Sequence, residues 1–157
     1  MVVLPAGARC TGFYTSGGQD GSPGERENTM TRLFLAANAL LWLPYGLYCF
    51  LVPEFLVEAA AVSATASTGT IELRAMYGGL QAGIGALCAA GAMREELERP
   101  ALLLLLFLAC GLALARSAGA VMAAELSSYT GSALLLEYTL AAASAWLLRS
   151  GSGAQSS

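Results

Sequence analysis

The chain of 157 residues contains no histidine and no lysine. Without histidine it lacks the commonest protein ligand of metals and the commonest general acid or base. All of its positive side-chain charge comes from arginine, which does not lose its proton at working pH. No complete catalytic, metal-binding or nucleotide-binding motif compensates for this, so we expect no catalytic residue, no metal site and no bound cofactor.

Charge of either sign is also scarce. Charged residues make up 12% of the chain and the formal net charge is −3. No basic patch occurs, which argues against a nucleic-acid partner. The four cysteines, Cys10, Cys49, Cys88 and Cys110, form no Cys-x-x-Cys motif, and three of them lie in apolar stretches. Such cysteines behave as small apolar residues, and the pattern indicates no redox motif.

Apolar residues are abundant, at 56% of the chain with a mean hydropathy of +0.60. They are concentrated in four stretches, and each is about long enough to cross a ~30 Å hydrocarbon core. These stretches are Leu33–Val52, Ala75–Met93, Ala101–Ala124 and Ser132–Leu148. The sequence therefore predicts an all-α integral membrane protein folded as a four-helix bundle, with the bilayer as its main surroundings.

The remaining sequence divides into tails and short connections. Residues 1–29 are polar and glycine-rich, which predicts a disordered tail or an upstream extension of the reading frame. We assign residues 30–149 to the membrane domain and residues 150–157 to a second disordered tail. Apolar residues at helical spacing in 54–62 predict a short interfacial helix after the first span. A flexible loop is expected at Ser63–Thr70, and short connections are expected at Arg94–Pro100 and Glu125–Gly131. Pro100 suits the first turn of the third span.

The arginines indicate an orientation for these spans. They flank the start of the first span, the connection between the second and third spans, and the end of the fourth. Because positive residues favour the cytoplasmic side, both termini are expected in the cytoplasm.

Ionisable residues in apolar spans are rare and often functional, and this chain has several. Arg116 and Glu137 lie inside spans, with Glu72 and Arg74 at the edge of another; all except Glu72 are expected in the outer half of the bilayer. Counting inward from the short turn between the third and fourth spans puts Arg116 and Glu137 at similar depth, so we expect them to pair. Gln81 is expected to form a hydrogen bond across the bundle. A purely structural role, with the pair fixing the register of two helices, remains equally open.

Small residues are typical of close contacts between membrane helices. The second span carries four glycines expected to pack against neighbouring helices: Gly78, Gly79, Gly83 and Gly85.

The segment Glu72-Leu-Arg-Ala-Met-Tyr-Gly-Gly-Leu80, followed by a span with Arg116 and another with Glu137, resembles the bacterial family called domain of unknown function 4345. The resemblance covers about residues 30–149. It implies a small multi-pass protein of the bacterial inner membrane with no established activity, and it adds Tyr77 to the candidate polar cluster. A looser similarity to DoxX-like four-span proteins rests on layout alone.

Three functions remain open on this sequence. The first is a non-enzymatic membrane protein whose polar cluster binds a small or lipidic ligand or a partner helix. The second is a subunit of an oligomeric transport or permeation assembly, since four short helices are too few to enclose an aqueous path. The third is a redox-linked membrane accessory, which the lack of histidine disfavours.

Overall fold

A computed structural model describes the backbone of residues 23–153 and the side chains of residues 28–151. Residues 23–153 form helices and short connections, without a strand, so the prediction of an all-α fold is confirmed. The helices are α1 (Pro23–Leu51), α2 (Phe55–Ala60), α3 (Ser67–Leu73), α4 (Leu80–Met93), α5 (Glu95–Ala123) and α6 (Ser128–Gly153), and a π-helical segment at Arg74–Gly79 joins α3 to α4.

Three helices of the described chain are long and apolar enough to cross a membrane: Asn28–Leu51, Glu95–Ala123 and Ser128–Gly151. They correspond to the first, third and fourth predicted spans. Large apolar side chains cover their outer surfaces, for example Phe107, Leu114 and Val121 of α5. These three lie seven residues apart and share one exposed face, as expected of a surface that meets lipid.

The second predicted span, Ala75–Met93, is helical throughout but is not among these three helices. Its α-helical part, α4, has 14 residues and is only ~21 Å long at 1.5 Å per residue. The preceding turns are the π-helical segment Arg74–Gly79. A fourth crossing therefore remains a prediction.

All three predicted connections are shorter in the structure, and the one predicted at Glu125–Gly131 covers only residues 124–127. Between α4 and α5 the only non-helical residue is Arg94, so the short connection predicted at Arg94–Pro100 is reduced to a single residue. Three glutamates in the first turn of α5 favour helix there, because negative charge stabilises a helix N-terminus. Pro100 therefore lies inside α5 and not in its first turn. The loop predicted at Ser63–Thr70 is also too long, since α3 begins at Ser67.

The helix α2 lies where a short helix was predicted after the first span. Its orientation against α1 is fixed partly by the rings of Tyr48 and Phe55, which meet edge to face with centroids 5.1 Å apart. At the chain ends, α1 already begins at Pro23 and α6 continues to Gly153. The tails were predicted at residues 1–29 and 150–157, but residues 23–29 and 150–153 belong to these helices. The remaining residues of both tails, 1–22 and 154–157, lie outside the described residues.

The helices pack as two pairs. The first helix, α1, contacts α4 and the π-helical segment, α5 contacts α6, and α4 joins the pairs by packing on α5. The core includes apolar residues from each of these helices: Leu35 and Ala39 (α1), Ile84 and Cys88 (α4), Ala101, Leu102 and Leu105 (α5), and Leu147 (α6). This packing holds the end of α5 and the start of α6 close together.

Candidate functional site

Arg116 of α5 and Glu137 of α6 form a bidentate ion pair. The Arg116 Nη2 group donates to Glu137 Oε1 at 2.8 Å, and Nε donates to Oε1 at 3.0 Å and to Oε2 at 3.2 Å. The Glu137 side chain is 7% exposed and that of Arg116 is 29% exposed. The predicted pairing of the two residues is confirmed. Within the pair, the carboxylate is much less exposed to solvent than the guanidinium.

Arg116 and Glu137 meet because they lie at similar distances from the turn that joins α5 to α6. Arg116 is about 11 Å from the end of α5 and Glu137 about 14 Å from the start of α6, counted at 1.5 Å per residue. The connection of residues 124–127 makes the two helices antiparallel neighbours. One residue further on, Ser117 Oγ and Tyr138 Oη lie 3.1 Å apart in a second polar contact between the same helices.

Tyrosine side chains lie near the guanidinium of Arg116. The Tyr129 ring centroid lies 6.0 Å from the Arg116 Cζ atom, at the limit of a cation–π contact. The phenols of Tyr77 and Tyr129 are within electrostatic range of the guanidinium and also of the Tyr45 phenol. The predicted site residue Tyr77 therefore joins Arg116 and Glu137, and Tyr45 and Tyr129 are additional members.

A cavity of about 360 Å³ opens beside this group and is called the Arg116 cavity below. Its wall is made by α2 and the residues after it, the π-helical segment, α5, and the start of α6. The lining residues are Glu58, Ala59, Ala60, Ala61, Val62, Tyr77, Arg116, Ser127, Tyr129 and Thr130. One side of the cavity is thus mainly small and apolar, and the other carries a guanidinium, phenols and hydroxyls.

The two hydroxyls at the start of α6 are engaged locally. Ser127 Oγ accepts the backbone N–H of Thr130 at 3.1 Å, which caps the helix, and lies 2.9 Å from Thr130 Oγ1. Arg116 differs, because its Nη1 group makes no hydrogen bond with the described residues. Arg116 therefore lines the cavity with Nη1 free to donate, while its Nε and Nη2 groups bind Glu137.

Glu72, Arg74 and Gln81 do not join this group. Glu72 and Arg74 are exposed and make no ion pair within the described chain. Both lie at or beside the π-helical segment Arg74–Gly79, whose turns hold more residues than those of an α-helix, so side chains there do not follow the 3.6-residue spacing of an α-helix. Gln81 is half-buried, and its Oε1 atom has no hydrogen-bond partner among the described residues.

The glycines of the second predicted span divide into two groups. An added β-carbon would lie 2.7 Å from Phe50 Cβ at Gly78 and 2.5 Å from the Leu43 nitrogen at Gly85, so both lie directly against α1. At Gly83 an added β-carbon would meet nothing within 4 Å, and at Gly79 only the Arg74 carbonyl oxygen at 3.9 Å. The Gly79–Gly83 pair therefore lies away from the helix contact in which it was expected.

Some polar contacts were not predicted from the sequence. Arg32 Nε of α1 donates to Glu98 of α5 at 2.7 Å, far along the bundle from Arg116. In α1, the buried Asn38 donates from Nδ2 to the Phe34 carbonyl oxygen and accepts from Trp42 Nε1 at 3.3 Å. Arg32, just before the first predicted span, and the acidic start of α5 could have indicated the first contact, but only with knowledge of how α1 and α5 pack.

The described residues contain no group of three histidine, cysteine, aspartate or glutamate side chains that could hold a metal ion. Their three cysteines, Cys49, Cys88 and Cys110, are free thiols. A second cavity, of about 380 Å³, lies on the neighbouring face of α5 and has a largely apolar wall. The Arg116 cavity itself has both polar and apolar lining residues, so it is suited to holding a polar group at the edge of an apolar surface.

Residues 30–148 match the family described as "Domain of unknown function (DUF4345)". The matched region includes Arg116, Glu137 and every residue that lines the Arg116 cavity. No curated protein and no solved structure matches the chain. The match confirms the resemblance found in the sequence and indicates no activity.

Proposed function

We propose that this chain, which belongs to the DUF4345 family, is a four-span membrane protein that holds a small amphiphilic or lipidic ligand in the Arg116 cavity. The observation that carries this proposal is the state of Arg116. Arg116 lines the cavity while its Nε and Nη2 groups bind a buried carboxylate, and its Nη1 group has no hydrogen-bond partner in the described chain. A guanidinium used only to fix two helices would not need an open cavity beside it.

The size and character of the cavity support binding. At about 360 Å³ it lies near the lower end of the ~300–1,000 Å³ typical of small-molecule sites. Such sites combine an apolar wall with a few polar groups that orient the ligand, and the Arg116 cavity has both. The apolar wall formed by residues 59–62 suits the less polar part of an amphiphile.

Filling the cavity tests this function. Ala60 lines the cavity and is half-buried, so phenylalanine at this position would occupy the space that a ligand needs. We expect native mass spectrometry from lipid nanodiscs to show an extra retained mass on the wild type and a loss of that mass in Ala60→Phe.

Val57→Phe is the matched control, because Val57 is exposed on the same short helix and does not line the cavity. It should retain the extra mass. A wild type that retains no ligand, or an Ala60→Phe variant that retains it unchanged, would contradict the proposal. A second copy of the chain in place of a ligand would favour a transport assembly.

We also propose that both termini are cytoplasmic in the bacterial inner membrane and that the helical run of residues 67–93 crosses the bilayer. Arginines near the start of α1, at the α4–α5 junction and at Arg149 support this orientation. The three helices already long enough to span leave an odd number of crossings without that run. With it, the Arg116 cavity faces the outer side.

Reporter fusions after Thr65, Arg99, Ser127 and Arg149 test this topology. We expect the fusions after Arg99 and Arg149 to report the cytoplasm and the other two to report the outside. If the fusions after Thr65 and Arg99 report the same side, the run of residues 67–93 does not cross.

A further inference from the structure

We propose that the Arg116 cavity takes a zwitterion that carries a primary ammonium group a few bonds from an anionic group. This inference rests on the proposed function and specifies the chemistry of its ligand. Within a membrane, the phosphoethanolamine headgroup of a lipid has this chemistry. The proposal follows from the charges on the cavity wall and from their state of pairing.

Glu58 supplies the negative end of the site. It lines the cavity from α2, is exposed, and forms no hydrogen bond or ion pair with the described residues. Glu137 is already balanced by Arg116, so Glu58 is the unbalanced charge on the cavity wall. A carboxylate in this position accepts hydrogen bonds from an ammonium N–H group.

Arg116 supplies the positive end. Its Nη1 group has no hydrogen bond within the described chain, and guanidinium groups bind phosphate and carboxylate oxygens well. Glu137 binds the edge of the guanidinium formed by Nε and Nη2, and this contact fixes the direction of the remaining N–H donors. A ligand oxygen at Nη1 would complete the hydrogen bonding of this side chain.

The combination of charges selects between ligand classes. A simple anion would gain Arg116 but would meet the unbalanced Glu58 carboxylate in the same cavity. A simple cation would gain Glu58 but would leave the Nη1 group of Arg116 without a hydrogen-bond acceptor. A zwitterion satisfies both ends. A quaternary ammonium has no N–H group to donate to Glu58, so choline headgroups should bind less well than ethanolamine headgroups.

Cavity size favours a headgroup or a molecule of similar size. A volume of about 360 Å³ is too small for a complete two-chain phospholipid, and the lining gives way to exposed apolar helix surface. In a lipid complex the headgroup would therefore lie inside the cavity and the acyl chains would lie along the outside of the helices.

Lipid retention in nanodiscs of equimolar dioleoyl phosphatidylethanolamine, phosphatidylcholine and phosphatidylglycerol tests this inference. Native mass spectrometry should find phosphatidylethanolamine on the wild type in about tenfold preference over the other two, as expected for one charge-assisted hydrogen bond. Glu58→Gln should retain lipid but lose most of this preference. Glu54→Gln is the matched control, because Glu54 is exposed just before α2 and does not line the cavity.

The outcomes separate the inference from the proposed function. Lipid bound without preference, a preference for phosphatidylglycerol, or an unchanged preference in Glu58→Gln would overturn the zwitterion and leave ligand binding intact. A wild type that retains nothing would overturn both. If added water-soluble phosphoethanolamine replaces the bound lipid mass with its own, the zwitterion stands and its source is a free small molecule.

Discussion

Gly85→Ala should unfold at a markedly lower temperature than the wild type in detergent. An added β-carbon at Gly85 would lie 2.5 Å from the Leu43 nitrogen and 2.8 Å from its Cα atom. Both are backbone atoms, which cannot rotate away as the end of a flexible side chain could. The helices α1 and α4 would therefore have to move apart. Overpacking of this kind costs about 1–3 kcal/mol, and more where the backbone cannot yield. The melting temperature followed by circular dichroism measures the effect.

Gly83→Ala is the matched control on the same helix. An added β-carbon there meets nothing within 4 Å, and alanine favours helix over glycine, so stability should be unchanged or slightly higher. Gly46→Ala should resemble Gly85→Ala, because its β-carbon would overlap the Ala82 backbone nitrogen from the other side of the contact. Equal melting temperatures for the alanine variants of Gly83 and Gly85 would contradict this description of the α1–α4 contact.

The second large effect concerns the ion pair. Glu137→Gln should destabilise the protein by about 3 kcal/mol, because it leaves the partly buried charge of Arg116 without its carboxylate. Arg116→Gln should cost less, since a carboxyl group can be neutralised by taking up a proton and arginine cannot. The double variant should lose less than the sum of the two, because neither charge is then left unpaired. A double-mutant cycle on unfolding free energies in detergent measures this coupling.

Glu125→Gln is a suitable reference for this cycle. Glu125 is exposed near the same end of α5 and forms no ion pair with the described residues. Its replacement should change the unfolding free energy by less than about 0.5 kcal/mol. Strictly additive losses at Arg116 and Glu137 would show that the contact contributes nothing beyond its separate side chains.

The pairing of Arg116 with Glu137 could be predicted because it depends on local features. Apolar runs define α5 and α6, a short connection makes them antiparallel neighbours, and residue counts from that turn give similar depths. Small residues on the facing stripes, such as Ala113 and Ser144, are buried and allow close approach. None of these steps requires knowledge of how distant helices pack.

The remainder of the site depends on distant packing and could not be predicted in the same way. The Arg116 cavity joins residues near 60, 77, 116 and 130, and its shape exists only after α2 has folded against the α5–α6 turn. Sequence spacing likewise identified glycines in the second span without showing which of them face α1. The Gly79–Gly83 spacing fits the familiar motif of membrane helices, yet Gly78 and Gly85 make the contact.

The start of α5 was predicted inaccurately for a different reason. The acidic residues of 95–98 read as a polar loop, but negative charge in a first helical turn stabilises the helix dipole. The polarity of these residues alone could not distinguish a connection between helices from the first turn of a helix. Glu98 then meets Arg32, a contact that a loop would not have held in place.

The tight turn between α5 and α6 has a consequence for biogenesis. Either helix entering the bilayer alone would carry a single charge into hydrocarbon, at about 2.5–3.5 kcal/mol on scales of translocon-mediated insertion. Only four residues separate the two helices, and the two charges neutralise each other across the hairpin. Insertion of α5 and α6 together as a hairpin would avoid this cost, because Arg116 and Glu137 could then enter the hydrocarbon already paired.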